Sequence, residues 1–464
     1  MKRSPRLLRA LGWCALIIGA VSAPFSVFAM MEGALPVARG FLLSAFGGCF
    51  IGGLVLTATN GLQRPAGASS ALRLCFYGWV LIPVLAAPPL AAASGSTLAG
   101  VFEAYSSLTT TGAIVLAPED APRSIVLWRS VLAWLGGLAS LVLAATVIAA
   151  LDKRGVGLRR TSLLTVEQSD IFTNFGRAIR RLGSVYAAVT LIGAALLGAA
   201  GLPAFEALCL ALSALSTSGL APQSGPLGDW LRPAAVMFLA MLCLAGAWNF
   251  SALYELATRH RPPHGSGESR AMIILSLLIG LTAGAIYGLG AIVPAALDAV
   301  FAITTSGYLT TAVSPLPVSL LLLLALAGGS TISTSGGIKM PRLLLLARRA
   351  GGELSLLSHP SAAVRTRYAG RPVKEEALAG IWVYALAYPA ALGLGAMLVA
   401  AGGAPLEDAL MVSAASLTNA GPLAGGAYEG LGPFSMFSAI FLMIAGRLEV
   451  LAAAAAVFVI FSRD

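Results

Sequence analysis

The sequence predicts an all-α polytopic membrane protein. Its plan is four pseudo-symmetric helix–pore-loop–helix repeats around a common axis, plus two N-terminal helices, about ten spans in all. Three observations lead there. Of 464 residues, 58% are hydrophobic and only 11% charged, too apolar for a soluble domain of this size. Apolar stretches of some twenty residues recur along the whole chain, each long enough to cross a bilayer. Finally, a short polar run ending in glycine recurs four times between such stretches: TTTG to Gly112, STSG to Gly219, TTSG to Gly307 and TNAG to Gly421. Recurrence at roughly one hundred residues marks repeated units built from one chain.

The elements follow in order. MKRSPRLLR is a basic flank for a first helix over Leu11–Met31. Val21-Ser22-Ala23 resembles a signal-peptidase site, but the apolar run continues past it to spanning length, so a retained helix is expected. A second helix covers Leu35–Thr57, and the leading pair occupies residues 1–70. The first repeat (71–155) combines a helix at Leu74–Ala93, a short pore element at Thr97–Gly112 and a returning helix at Ile125–Leu151. The second (180–260) uses Val185–Gly201, Ala204–Gly219 and Leu231–Ala257. The third (268–350) uses Ala271–Ile292, Ala295–Gly307 and Leu316–Leu346. The fourth (374–464) uses Ala377–Ala401, Leu406–Gly421 and Pro433–Phe461.

Charge sets the orientation. Under this layout about 24 of the 30 Lys and Arg fall on one side, as in cytoplasmic loops, so both termini are expected inside. The net charge of +10 is then largely topology, and suits contact with anionic membrane lipid rather than nucleic acid. The other side carries Glu32, Glu103, Glu119, Asp120, Glu206, Asp229, Asp298, Glu407, Asp408 and Glu429 against only Arg39, Arg123 and Arg232, an acidic face that concentrates cations. Glu103, Glu206, Asp298 and Asp408 are expected early in the pore helices, facing outward. Five cysteines in apolar runs and three histidines offer neither a disulfide framework nor a zinc site. Pro262 and Pro263 rule out a helical pair of His260 and His264. No nucleophile–base pair is present, no cofactor is implied and no enzyme is expected.

A pore element of about twelve residues is too short to span, and non-helical backbone survives at membrane depth only where it lines protein or water. A Thr/Ser-Gly break between helices is ordinarily a turn. Four at the same place between flanking helices point instead to one shared structure. Glycine after a polar run takes positive φ and can aim carbonyl oxygens at an axis, where they replace the hydration shell of a cation.

FEAYSSLTTTGA (Phe102–Ala113), WRSVLAWLGG (Trp128–Gly137), GGSTISTSGGIKMPR (Gly328–Arg342), SLTNAGP (Ser416–Pro422) and GRLEVL (Gly446–Leu451) together resemble the Trk/Ktr/HKT superfamily of potassium transporters. Within it the chain is similar to the bacterial Trk membrane subunit. The resemblance implies a K+ filter formed by Thr110, Thr111 and Gly112; Thr217, Ser218 and Gly219; Thr305, Ser306 and Gly307; and Asn419, Ala420 and Gly421. It also implies an intramembrane gating loop through Gly328, Gly329, Ser333, Gly336, Gly337 and Lys339; Arg447, charged in mid-helix, is read beside it as a pore-facing positive charge that limits K+ passage and interacts with that loop. Ile332 and Ser335 stand where glycines are usual, implying a stiffer loop. Leu220 and Leu423 replace an aromatic and a glycine behind the filter. The resemblance further implies K+ as the transported ion, a homodimer in the inner membrane, and a TrkA-like cytosolic ring that binds nucleotide. The alternatives are the potassium-translocating subunit of an ATP-driven pump and a Na+-permeable or secondary cation transporter.

Arg447, expected mid-helix, would be costly in lipid and so should face protein or water. It should not pair with Glu449, which lies on another helix face. Arg129, near a helix end, is expected to snorkel.

Overall fold

The computed structural model describes residues 5–62, 68–145, 171–259, 267–359, 367–368, 371–373 and 375–450. Among these the fold is helical apart from one two-residue hairpin, Arg367–Tyr368 with Arg371–Pro372. The chain is a polytopic membrane protein. Six helices are long and apolar enough to cross a bilayer: α1 (Pro5–Met31), α2 (Leu35–Ala58), α6 (Arg123–Leu143), α7 (Ile171–Ala199), α11 (Gly267–Tyr287) and α15 (Glu375–Ala401). Four short ones stand between them: α5 (Thr97–Leu108), α8 (Ala204–Ser216), α12 (Ile292–Ile303) and α16 (Leu406–Thr418). At twelve or thirteen residues each is about 18–20 Å long, well short of a span.

Backbone approach explains the leading pair. A Cβ on Gly19 of α1 would lie 2.6 Å from the Cys49 amide, and one on Gly48 of α2 would lie 2.7 Å from the Ala15 carbonyl. Small residues thus let α1 and α2 touch along their length, which drives helix pairing in lipid where no hydrophobic force is left. Their aromatic residues tie the pair to the body. Phe25 and Phe41 pack on the fully buried Trp128 of α6, with ring centres 5.2 and 5.5 Å away. The α6 helix is interior, 61% of its apolar span being buried against 22% for α2.

Four expected spans are not single helices. Leu74–Ala93 is divided into α3 (Ala68–Ala86) and α4 (Pro88–Ser94), bent by 49°. Pro88 and Pro89 lack amide donors, so two backbone bonds of a continuous helix are missing there, which accounts for the bend although Ala87 itself keeps a helical conformation. Leu231–Ala257 is divided into α9 (Pro233–Ala247) and α10 (Phe250–Arg259). The third returning helix is α13 (Val318–Ala327), then a non-helical loop, then α14 (Met340–Ser358), as its glycines predicted. The last, α17 (Pro433–Arg447), ends where Glu449 takes φ 61°; residues 451–464 of the expected helix lie outside the described residues.

The break after α9 has a tertiary cause. Trp248 is extended, so the carbonyls of Gly246 and Ala247 lose their helical partners. They accept instead from the amides of Thr334 and Ser330 at 3.0 and 2.9 Å, while Phe250 donates to the Ile332 carbonyl at 2.9 Å. The interrupted helix and the intramembrane loop satisfy each other's backbone, as they must away from water.

Candidate functional site

Each short helix ends in the same backbone manoeuvre. Two residues before each glycine the chain enters the left-handed region: Thr110 (φ 56°), Thr217 (55°), Thr305 (62°) and Asn419 (56°). Such a conformation costs an L-residue about 1–2 kcal/mol, and its presence at all four equivalent positions marks a constraint rather than accident. The next amide then turns back into its helix. Thr111 donates to Ser106, Ser218 to Ser213 and Ala420 to Ala415 at 2.8–3.0 Å, and Gly307 donates to Phe301 at 3.0 Å. These are Schellman-type closures. They direct the loop amides into the short helices rather than into the space among the loops.

The glycines agree in three loops and differ in the fourth. Gly112, Gly219 and Gly307 have φ of 75°, 71° and 70°. Gly421 does not: it opens a run of 3-10 turns, Gly421–Tyr428, and the expectation of positive φ at all four is corrected there. Proline at 422 favours a helical start and accounts for the difference.

The four loops close into a ring. A Cβ on Gly112 would meet the Ser218 carbonyl oxygen at 1.8 Å, and one on Gly219 would meet that of Ser306 at 1.7 Å. Gly307 lies against Pro422 and Leu423, and the Gly421 amide donates to the Thr111 carbonyl at 2.7 Å. First, second, third and fourth loops are therefore successive neighbours, and the fourth returns to the first. The Thr111 carbonyl is engaged sideways, leaving one lone pair rather than two.

Hydroxyl groups brace the ring from behind. Thr111 Oγ1 lies 2.8 Å from Thr109 Oγ1 and accepts from Asn419 Nδ2 at 2.9 Å. Ser218 Oγ meets Ser213 Oγ at 2.9 Å, and Ser306 Oγ donates to the Phe301 carbonyl at 3.1 Å. Sequence reasoning passed over the tyrosines here. Tyr308 bridges Ser213 Oγ at 2.8 Å and the Leu220 carbonyl at 3.1 Å, and Tyr428 reaches Ser416 at 3.0 Å. Tyr308 thereby supplies, from the next loop, the aromatic missing at Leu220. The available signal was its place directly after Gly307, since a buried tyrosine needs a hydroxyl partner. Two ring atoms, Thr110 Oγ1 and Asn419 Oδ1, are buried without a hydrogen-bond partner among the described residues.

Glu103 and Asp298 do not face outward with the other acids. Both are buried, and both stand nine residues before their glycine, a register that Glu206 and Asp408 do not share. Glu103 Oε1 accepts from the amides of Val115 and Leu116 at 2.9 and 2.8 Å. Its partner is Arg129, which does not snorkel: it is buried and makes a forked pair at 2.7–3.0 Å. Asp298 accepts from the amide and hydroxyl of Thr310, each at 2.8 Å, and from Ser314. Each acid clasps the chain just beyond the glycine of its loop. Glu119, Asp120, Asp229, Glu407 and Glu429 remain exposed on that face.

Against the inner ends of these loops lies the non-helical segment between α13 and α14. The Gly336 amide donates to Thr305 Oγ1 at 2.9 Å, and Thr334 Oγ1 to the Leu215 carbonyl at 2.9 Å. A Cβ on Gly336 would lie 1.9 Å from the Thr418 carbonyl. Gly328 and Gly337 have φ of 63° and 74°, and Lys339 has φ 79°. Lys339 Nζ turns back to the Ser335 carbonyl and to Ser333 Oγ. Ser335 Oγ accepts from the Gly329 amide at 2.9 Å and meets Ser333 Oγ at 2.9 Å, and Ile332 packs against Leu141, Tyr186 and Phe250. The two residues that depart from the usual glycines thus tie the loop down. Arg447 donates from Nε to Ser140 Oγ and from an amino nitrogen to the Thr334 carbonyl at 2.6 Å, joining α17, α6 and the loop. Glu449 pairs with Arg342 instead.

Similarity agrees with this architecture. The sequence model of the TrkH family, described as cation transport proteins, matches residues 48–264 and 285–463. The Trk system potassium uptake protein TrkH of Halomonas elongata is 28% identical over 392 residues, covering 80% of this chain and 81% of the relative. The protein of that name in Escherichia coli K12 is 27% identical over 368 residues, 75% and 76% of the two chains. The crystal structure of the potassium transporter TrkH from Vibrio parahaemolyticus superposes with a TM-score of 0.86 at 22% identity, over 100% of both chains. A family match across most of the sequence, joined to a shared fold, leads to one conclusion: the chain belongs to the TrkH family of cation transport proteins.

Proposed function

We propose that the chain takes up K+ across the bacterial inner membrane, the four loops acting as its selectivity filter. One observation carries the reading: four glycine-ended loops form a closed ring, and in each an amide of the turn donates back into its short helix. Carbonyl oxygens are then the groups left to face the enclosed space, and rings of carbonyls substitute for the water shell of K+. The short helices add their partially negative C-terminal ends at the same place. Inward flux needs no covalent chemistry, and the chain is no enzyme. A membrane potential drives each charge by about 2.3 kcal/mol per 100 mV.

The helices divide on this reading into two leading spans and four pore units, at 1–70, 71–155, 180–260, 268–350 and 374–464, with both termini in the cytoplasm. The segment from Gly328 to Lys339 is the gate, a plug under the ring that Arg447 holds closed. As a Trk-type subunit the chain acts, on this reading, as a homodimer docked on a TrkA-like nucleotide-binding ring; the relatives' names, which place them in a Trk system, agree with a partner subunit. Exposed apolar side chains on α2, including Leu43, Phe46 and Leu54, suit lipid or a second copy.

Rubidium uptake into liposomes containing the purified chain, driven by an inside-negative potential, tests the proposal. Uptake that unlabelled K+ competes away and Na+ does not is the expected result. Uptake that Na+ suppresses equally overturns it.

A further inference from the structure

A cavity of about 670 Å3 lies among α1, α3 and α6, beside the start of α7, and no filter or gating-loop residue lines it. Its lining along α1 runs from Arg6 to Ile18, a rise of about 18 Å along the helix. One leaflet of a 30 Å hydrocarbon core is about 15 Å deep, so the cavity has the depth of a single leaflet. Its volume falls within the roughly 300–1,000 Å3 of ligand-binding pockets. Polarity changes along it in one direction. Arg6 and Arg9 stand at the helix-end mouth with Leu62 and Leu143 nearby, whereas Trp79, Ile82 and Leu108 form the inner wall. On the α1 side Trp13 and Ile17 are half exposed, at 51% and 45%, so the cavity is open toward the surface that meets lipid.

We propose that this cavity binds an anionic phospholipid, one acyl chain filling the apolar part and the phosphate held by Arg6 and Arg9. Depth, apolar lining and opening suit an acyl chain, and the paired cations at headgroup level select a negative headgroup. The site has a bearing on the gate. Trp79 separates the cavity from Arg447, whose guanidinium carbon lies 6.0 Å from the indole ring. Leu108, a buried residue of the lining, is the last residue of α5 and immediately precedes the first of the four loops. A bound chain would brace both from behind.

Native mass spectrometry of the full chain, titrated with phosphatidylglycerol and separately with phosphatidylcholine of the same acyl chains, tests this without any transport assay. Phosphatidylglycerol should be retained in preference to phosphatidylcholine. Arg6→Gln with Arg9→Gln should weaken it roughly 30-fold, taking about 1 kcal/mol per cation. Arg123→Gln, on the opposite face, should leave it unchanged. Equal retention of the two lipids, or unaltered phosphatidylglycerol affinity in the double variant, overturns the proposal. Cys75→Trp, which fills the cavity, provides a second arm. A folded variant that still retains phosphatidylglycerol as the parent does overturns it equally.

Discussion

Glu103 shows how much of the proposed filter rests on residues set behind the four loops. Its carboxylate takes two amides beyond the first glycine and a forked arginine, all within the protein interior. Removing one partner of a buried pair typically costs 3–5 kcal/mol, about what leaves Arg129 stranded. Glu103→Gln should therefore lower the thermal midpoint clearly and broaden cation selectivity, whereas Glu103→Gln with Arg129→Met should recover stability and keep the loosened selectivity. Thermal unfolding in detergent alongside competition uptake separates the two; a single variant with unchanged midpoint and selectivity would count against the clasp. Tyr308 makes a smaller case. Tyr308→Phe removes bonds to Ser213 and to the Leu220 carbonyl, worth about 1–2 kcal/mol together. It should weaken K+ over Na+ preference several-fold with little loss of fold, measured by the same competition. The glycines were legible in the sequence because a lone residue type at a fixed place says what the backbone must do. The role of Glu103 was not, because it depends on counting nine residues back from a glycine rather than on lying early in a helix.

Among the elements, the breaks were unevenly legible. The loop after α13 announces itself in GGSTISTSGG, where glycine and hydroxyl residues interrupt an apolar run. The break after α9 does not, since Leu231–Ala257 reads as continuous and its cause lies some eighty residues away at Ser330, Ile332 and Thr334. Close packing explains three further glycines. Cβ atoms on Gly136, Gly246 and Gly446 would meet the carbonyls of Leu108, Leu215 and Leu417 at 1.7, 2.4 and 2.1 Å, so each returning helix can cross its short helix only at glycine. The gating loop offers the element-level prediction. Ser335→Gly removes a hydroxyl bonded to the Gly329 amide and to Ser333, and frees the backbone, loosening the closed loop by about 1–2 kcal/mol. Basal rubidium uptake should rise about five- to thirty-fold. Uptake equal to that of the parent would show that this loop does not limit flux.

For the molecule as a whole, composition settled the class and recurrence settled the plan, because a bilayer admits few ways to bury backbone. What stayed hidden was the closure of the ring, since no local pattern states that the fourth loop returns to the first. Gly421 donating to Thr111 across more than three hundred residues is that closure, and it makes the filter a property of the entire chain. The most direct test is the reversal potential across a planar bilayer with K+ on one side and Na+ on the other, for the parent and for Gly219→Ala. That variant must place a methyl group against the Ser306 carbonyl. The parent should reverse near the K+ equilibrium potential and the variant near zero or carry no current. A parent that does not distinguish the two ions, or a variant that keeps full K+ selectivity, would contradict the account.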